Sequence, residues 1–329
     1  MLLVYGVMSV TWARVRTFYQ CQRRSSSVLS ARKSKHNVKR LLKSNMSTKS
    51  LTNAEYCVNL VKKNDHENFL CCLLLSGAVQ RAAFALRAFN IELAQVRDTV
   101  TDGNRGLMKM QFWKDGIEQI YRKTPPQTPV AIELAGAVQF FKLSKRWLTR
   151  IITERADHLH DKPFRDLKHV EEYGENTNSS LNYLLLQCQG IQNVHADHAG
   201  SHIGKTQGLV TLLRSTPYHA SKQRVHLPIE LLLKHKVSQE DVIRKQNLTQ
   251  LQDVVYDVAC TAQKHLQTAR SLKKDVPKDA YLVFLSTVIC DWYLKKLEQV
   301  GFDVFHVKLQ HKNSMLPYHL WLQKIKKTY

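Results

Sequence analysis

The sequence predicts an all-α fold. Only eight prolines and twelve glycines punctuate 329 residues, and the long segments between them repeat apolar side chains at i, i+3 and i+4, the period of a helix with one buried face. Nowhere do about twenty apolar residues run together, so no segment is expected to span a bilayer. The seven cysteines, Cys21, Cys57, Cys71, Cys72, Cys188, Cys260 and Cys290, lack metal-knuckle spacing. Buried reduced thiols are therefore expected.

The first fifty residues stand apart. No Asp or Glu occurs before Glu55, while Lys and Arg recur from Arg14 to Lys49, interleaved with Ser25, Ser26, Ser27 and Ser30. An Arg-rich, Ser-rich, acid-poor segment has the composition of a mitochondrial presequence, so residues 1–50 are read as a targeting segment and 51–329 as one folded domain. The competing readings are weaker: a secretory signal needs a small-residue cleavage site, and a nucleic-acid arm needs interleaved aromatics. The formal net charge is +22, and half of it lies in this segment. The moderate basic bias that remains suits an anionic membrane surface. No zinc-finger, RNP or helix-turn-helix spacing accompanies it, so nucleic acid is not an expected partner.

The elements then follow in order. Thr52 or Asn53 can cap a helix to about Lys63, with Tyr56, Leu60 and Val61 on one face. The apolar run 68–75 fits a short helix or a strand by periodicity alone, and its neighbours favour helix. Residues 76–100 are helical again. Asp102, Gly103 and Asn104 compose a turn, and a helix over 105–122 follows with Leu107, Met108, Phe112, Trp113, Ile117, Ile120 and Tyr121 as its inner face. The prolines over 125–129 end it, and Pro129 opens the next helix, to about Phe141. Ser144 can cap another that turns Leu148, Ile151 and Ile152 inward. Asp157, His158, His160 and Asp161 are ligand types, but crowded at a helix end they mark a solvated loop. The apolar run 181–188 is expected to be buried.

The stretch 195–228 organises the rest. Ile203, Gly204, Gly208, Leu209, Val210, Leu212 and Leu213 mark a helix buried on most sides, followed by a break at Pro217 and a basic turn. Before it, His198 and His202 at i and i+4 have the spacing of a metal pair, with His195 or Asp197 nearby. Ala199 stands where a zinc protease carries its general base, so a structural or pocket-lining role is expected instead. Beyond it, Ser238 and Asp241 form a capping signal, and helices are expected over 251–269 and, from Pro277, over 277–300. The end, 317–327, mixes aromatics with lysines; it either packs on the bundle or lies on an anionic bilayer.

Leu213, Arg214, Ala220, Arg224, Leu227 and Pro228, in ungapped register after Gly204, resemble the second signature of the squalene/phytoene synthase family. Arg81, Ala85, Leu86, Ala88 and Phe89 resemble its first. The resemblance implies a single-domain helical bundle of the isoprenoid synthase type with a central cavity. It assigns as pocket positions Glu92, Ala94, Asp98, Gly208, Thr211, Arg214, Ser215, His219 and Arg224, and gives Asn178, Ser179 and Ser180 the places of small residues beside the pocket.

Each family signature carries an Asp pair at i and i+4, and here the four places hold Ala94, Asp98, Ser215 and His219. Ionising a diphosphate needs magnesium held between phosphate oxygens and facing carboxylates. Ala94 offers no ligand, and neutral Ser215 and His219 are poor partners for a hard cation. The chain is therefore expected to be no enzyme and to carry no metal or cofactor, with Asp98 a solvated residue near a helix end. A closer likeness, over 88–96, 110–113, 195–198 and 216–219, is to the mitochondrial non-catalytic branch of the family that serves respiratory complex I assembly. That likeness implies a matrix location peripheral to the inner membrane, with complex I subunits and assembly intermediates as partners, at an early membrane-arm stage containing ND1. A prenyl-lipid carrier and a residual prenyltransferase are the alternatives.

Overall fold

The computed structural model describes residues 51–99, 103–159 and 163–329; the presequence reading falls on residues outside these. Every regular element among the described residues is helical. The chain runs through α1 (Asn53–Asn64), α2 (His66–Leu73), α3 (Gly77–Thr99), α4 (Gly103–Tyr121), α5 (Pro129–Phe141), α6 (Lys145–Asp157) and α7 (Leu167–Gly174). A π turn, Glu175–Ser179, then leads into α8 (Ser180–Cys188) and the long α9 (Val194–Ser221). After these come α10 (Ile229–Lys234), α11 (Gln239–Arg244), α12 (Leu248–Ser271), α13 (Ser286–Gln299), α14 (Val307–Gln310) and α15 (Leu316–Lys326).

The local signals explain most of the ends. Thr52 and Glu55 form a capping box at α1, Ser238 and Asp241 another at α11, and Thr128 caps α5, with Pro129 in its first turn. Four expectations are corrected. Gly103 and Asn104 are the first residues of α4 rather than a turn, and α4 leaves Leu107, Met108 and Phe112 exposed, burying only the side that holds Met110, Trp113, Ile117 and Ile120. Pro217 does not break α9: the helix continues to Ser221, while the hydroxyls of Ser215 and Thr216 bond back to the Leu212 carbonyl. Pro217 has no N–H to offer the Leu213 carbonyl, and the helix carries through that single missing bond. Pro277 opens a 3-10 segment, Lys278–Leu285, and α13 starts only at Ser286. Side chains eclipse at i and i+3 in the tighter coil, so Ala280 and Val283 form one buried row and Tyr281 and Phe284 the next.

Two apolar cores fill the molecule, and α9 belongs to both. Its first half puts Ala196, Ala199 and Ile203 into the core built on α1, α3, α4, α5, α6 and α8. Its second half puts Leu209, Val210, Leu212 and Leu213 into the core shared with α10, α12 and α13. A smaller cluster of Cys71, Leu285, Ile289, Leu316 and Leu320 fixes α15 against α2.

Between the two halves α9 meets α7 and the π turn backbone to backbone. A Cβ on Gly204 would stand 2.1 Å from Ser179 Oγ and 2.3 Å from Ser179 N, and one on Gly208 would stand 2.9 Å from Gly174 Cα. No rotamer relieves a clash with backbone, so this seam excludes any side chain. Gly204→Ala is expected to lower stability by at least about 2 kcal/mol, whereas Gly136→Ala, on an exposed turn of α5 with nothing within 4 Å of the added carbon, should be neutral or stabilising. Urea unfolding midpoints of the two variants check the contrast.

Candidate functional site

The face of α3 carrying one signature and the face of α9 carrying the other line a cavity of about 780 Å³. From α3 come Arg87, Asn90, Ala94, Arg97 and Asp98, spaced as one helical face; from α9 come Gln207, Gly208, Thr211, Ser215 and His219. Arg155 of α6 reaches in beside them, donating from Nη2 to Asn90 Oδ1 at 2.7 Å and from Nη1 to the Tyr173 hydroxyl at 3.3 Å. Near the rim, Arg214 Nη1 pairs with Glu67 Oε2 at 2.6 Å, and Arg97 Nη2 hydrogen-bonds the ring of His226.

Seven of the pocket positions inferred from the sequence therefore line one space: Ala94, Asp98, Gly208, Thr211, Arg214, Ser215 and His219. Glu92 and Arg224 are not among its lining. Glu92 is two residues past Asn90 and so turned about 200° from it; it acts instead on Tyr56 and Cys57 of α1, and burial pushes its carboxyl up to about 6. Arg224 lies beyond the left-handed Gln223 that follows α9, and His226, two residues later, takes a place in the wall. Arg87, Asn90 and Arg155 were not singled out from the sequence, although Asn90 stands one turn before Ala94 on the same face. His158, expected in a solvated loop, is half-buried, with ring centroids 5.3 Å from Phe164 and 4.9 Å from Tyr173; His160 and Asp161 lie outside the described residues.

A comparison with known families matches residues 61–315 to the squalene/phytoene synthase model. The chain belongs to the squalene/phytoene synthase family. It is 52% identical over 274 residues to the human protein named NADH dehydrogenase (ubiquinone) complex I, assembly factor 6, covering 83% of this chain and 82% of that one. A homologue of that factor in Drosophila melanogaster is 39% identical, with 83% of each chain covered. Among solved structures, a dehydrosqualene synthase bound to a ligand superposes with a TM-score of 0.72 at 17% identity, over 83% of this chain and 95% of that one. This last likeness concerns the fold.

The family's magnesium cluster does not fit the residues present. Asp98 is the one carboxylate among the four signature places, while Ser215 spends its hydroxyl on the Leu212 carbonyl and His219 packs edge-on against His226 at 4.5 Å. The wall is cationic instead: Lys63, Arg87, Arg97, Arg155, Arg214 and Lys312 face Asp65, Glu67 and Asp98. Arg87 is only 5% exposed, and its Nε has no hydrogen-bond partner, nor has Nε of Arg155. Buried thiols add no nucleophile: burial pushes Cys57, Cys72, Cys188 and Cys290 up to about 12.

The histidines of α9 form a separate arrangement. His198 Nε2 stands 3.1 Å from His202 Nε2, His202 Nδ1 stands 2.7 Å from His265 Nδ1, and His265 Nε2 lies 3.2 Å from Glu171 Oε1. One set of neutral tautomers satisfies the whole chain: His265 donates to Glu171, His202 to His265, and His198 to His202. His195 and Asp197 are exposed and take no part. Among the described residues no three His, Cys, Asp or Glu are placed to hold a metal ion. His265 was invisible to local spacing, being 63 residues from His202.

Burial first, then the neighbouring His265, His198 and Lys205, depress His202 to about 4. The unfolded chain therefore binds a proton at this position below about 6.5 while the folded chain refuses it until about 4. Stability from this group is complete above pH 6.5 and drains away as pH falls toward 4. In thermal melts between pH 7 and 4.5, His202→Phe is expected to flatten the acid-side loss of Tm; an unchanged slope would assign that loss to other groups.

Proposed function

We propose that this chain is a non-catalytic member of the squalene/phytoene synthase family that serves the assembly of mitochondrial respiratory complex I. The observation that carries the loss of catalysis is the cavity wall itself, where Ala94, Ser215 and His219 stand in place of carboxylates and arginines dominate the charge. Its relatives at 52% and 39% identity are named as complex I assembly factors, which supports the assembly role. The proposed stage is the early membrane-arm intermediate containing ND1, reached from the matrix side after removal of residues 1–50. No helix of the described residues is long and apolar enough to cross a membrane, in keeping with a peripheral position. Depleting the protein in its own cells is expected to lower assembled complex I and spare complex IV, and re-expressing the Asp98→Ala variant should restore complex I fully. Unchanged complex I, or rescue that needs Asp98, would overturn the proposal.

A second role for the cavity is favoured by one observation, the buried Nε of Arg87 that has no hydrogen-bond partner. A buried donor left without an acceptor costs about 1–3 kcal/mol, and an anionic lipid headgroup entering beside Arg155 would supply the missing acceptor. The alternative of a prenyl-lipid or other anionic-lipid carrier thus rests on Arg87, and a residual prenyltransferase lacks the donors to build on. Solvent extraction and mass spectrometry of the purified protein should recover a phosphate-bearing lipid from the wild type and not from Arg87→Met. The same variant should unfold at a higher temperature when lipid-free, because the buried Nε without an acceptor is gone. Wild-type protein free of lipid would sink this role.

A further inference from the structure

We infer that α15 is a membrane-surface helix whose outward stripe enters the headgroup region of an anionic bilayer. After Asp303 the chain contains Lys308, Lys312, Lys324, Lys326 and Lys327 and no Asp or Glu. On α15 the inward side is settled: Leu316 and Leu320 are buried in the cluster with Cys71, Leu285 and Ile289. Opposite them, at helical spacing, lie the half-buried Tyr318, Trp321 and Leu322 and the exposed Ile325. Tyr318 and Trp321 are stacked, their rings 6.3 Å apart and 27° from parallel, and Ile325 is 57% exposed. About 100° to either side of this stripe stand Lys324 and Lys326, so a lysine flanks it on each side.

Aromatic rings in the middle, an aliphatic tip and lysines on both flanks are what an interfacial helix presents: the stripe enters the acyl boundary while the Lys326 stem lies along it and its head reaches the phosphates. Tyr and Trp prefer this depth because one end of each ring system is apolar and the other polar. Lys324 Nζ donates to the Leu74 carbonyl at 2.8 Å, which brings the exposed Leu73 at the end of α2 alongside and widens the apolar tip. The helix is held in place: the Tyr329 hydroxyl donates to the Ala269 carbonyl at 3.0 Å, and its ring packs on Tyr281 and Phe284. The surface is thus preformed and needs no folding on contact. A lipid surface suits it better than a protein because lysine is depleted from protein interfaces, whereas each lysine near an anionic bilayer gains about fivefold in affinity.

This inference deepens the peripheral-membrane part of the proposed function, and its test is read on lipid alone, so it can fail without complex I assembly failing and the reverse. The full chain is partitioned onto vesicles of phosphatidylcholine with about one-third phosphatidylglycerol, beside vesicles of phosphatidylcholine only. Lys326→Gln with Lys327→Gln, both exposed, should weaken binding to the anionic vesicles by about 25-fold, and Ile325→Ser should weaken it further. Residues 1–50 are common to every variant and cancel. With brominated lipid, tryptophan quenching should fall in Trp321→Phe relative to wild type, and circular dichroism should show all variants folded. Equal partitioning of the lysine variants, or quenching unchanged by Trp321→Phe, would overturn the inference. So would loss of a protein partner by the same lysine variants with vesicle affinity intact, which would make the face a protein contact.

Discussion

The backbone contact between α9 and the turn at Ser179 is the constraint to which the rest of the structure answers. α9 is shared by both apolar cores, so its distance from α7 and α8 sets how the two halves meet. Gly204 and Gly208 bring it in until main chain touches main chain. The π turn at Glu175–Ser179 offers its own small residues to that contact, and its exposed edge is tied down by Glu175, which accepts from Tyr183 at 2.8 Å and from Ser201 at 2.6 Å. With that wall fixed, α3 can stand across from α9 and leave a cavity open between them rather than collapsing onto it.

What the cavity can do is decided by the sign of its walls. A site meant to hold hard cations concentrates carboxylates so that their mutual repulsion is relieved only by metal. Here the repulsion has the opposite sign: several arginines converge, some answered by Glu67, Asn90, Tyr173 or His226, and Arg87 answered by nothing on the protein side at its Nε. Such a wall attracts an anion directly. The bundle geometry survives this exchange because Gly204, the tightest point of the seam on α9, is not part of the cavity wall, and Gly208, which serves both, brings no side chain to either.

The all-α class, the helix caps and the central position of α9 were legible in the sequence because each rests on local information: period, capping chemistry and glycine spacing. Seven pocket positions were legible because two signatures at helical spacing put them on facing helices. The failures share a physical cause. Glu92 was placed in the pocket by the family resemblance, although a step of two residues from Asn90 turns its side chain to the far side of the helix. Leu107, Met108 and Phe112 follow a helical period as faithfully as core residues do, and only the neighbours of α4 show that they face outward. Arg155 and His265 lie far along the chain from the residues they bond, and Pro217 reads as a break although α9, packed into both cores, carries through it.

The buried thiols bear on chemistry of another kind. A thiol held near 12 is ionised to about one part in ten thousand at pH 8, and peroxide attacks the thiolate rather than the thiol. Cys57, Cys72, Cys188 and Cys290 are therefore shielded from oxidation both by burial and by protonation. Among the described cysteines only Cys260, on α12 beside Tyr256, is less than fully buried. Among the described cysteines, sulfenic acid would therefore form first at Cys260, on the outer face of α12, and leave both cores reduced.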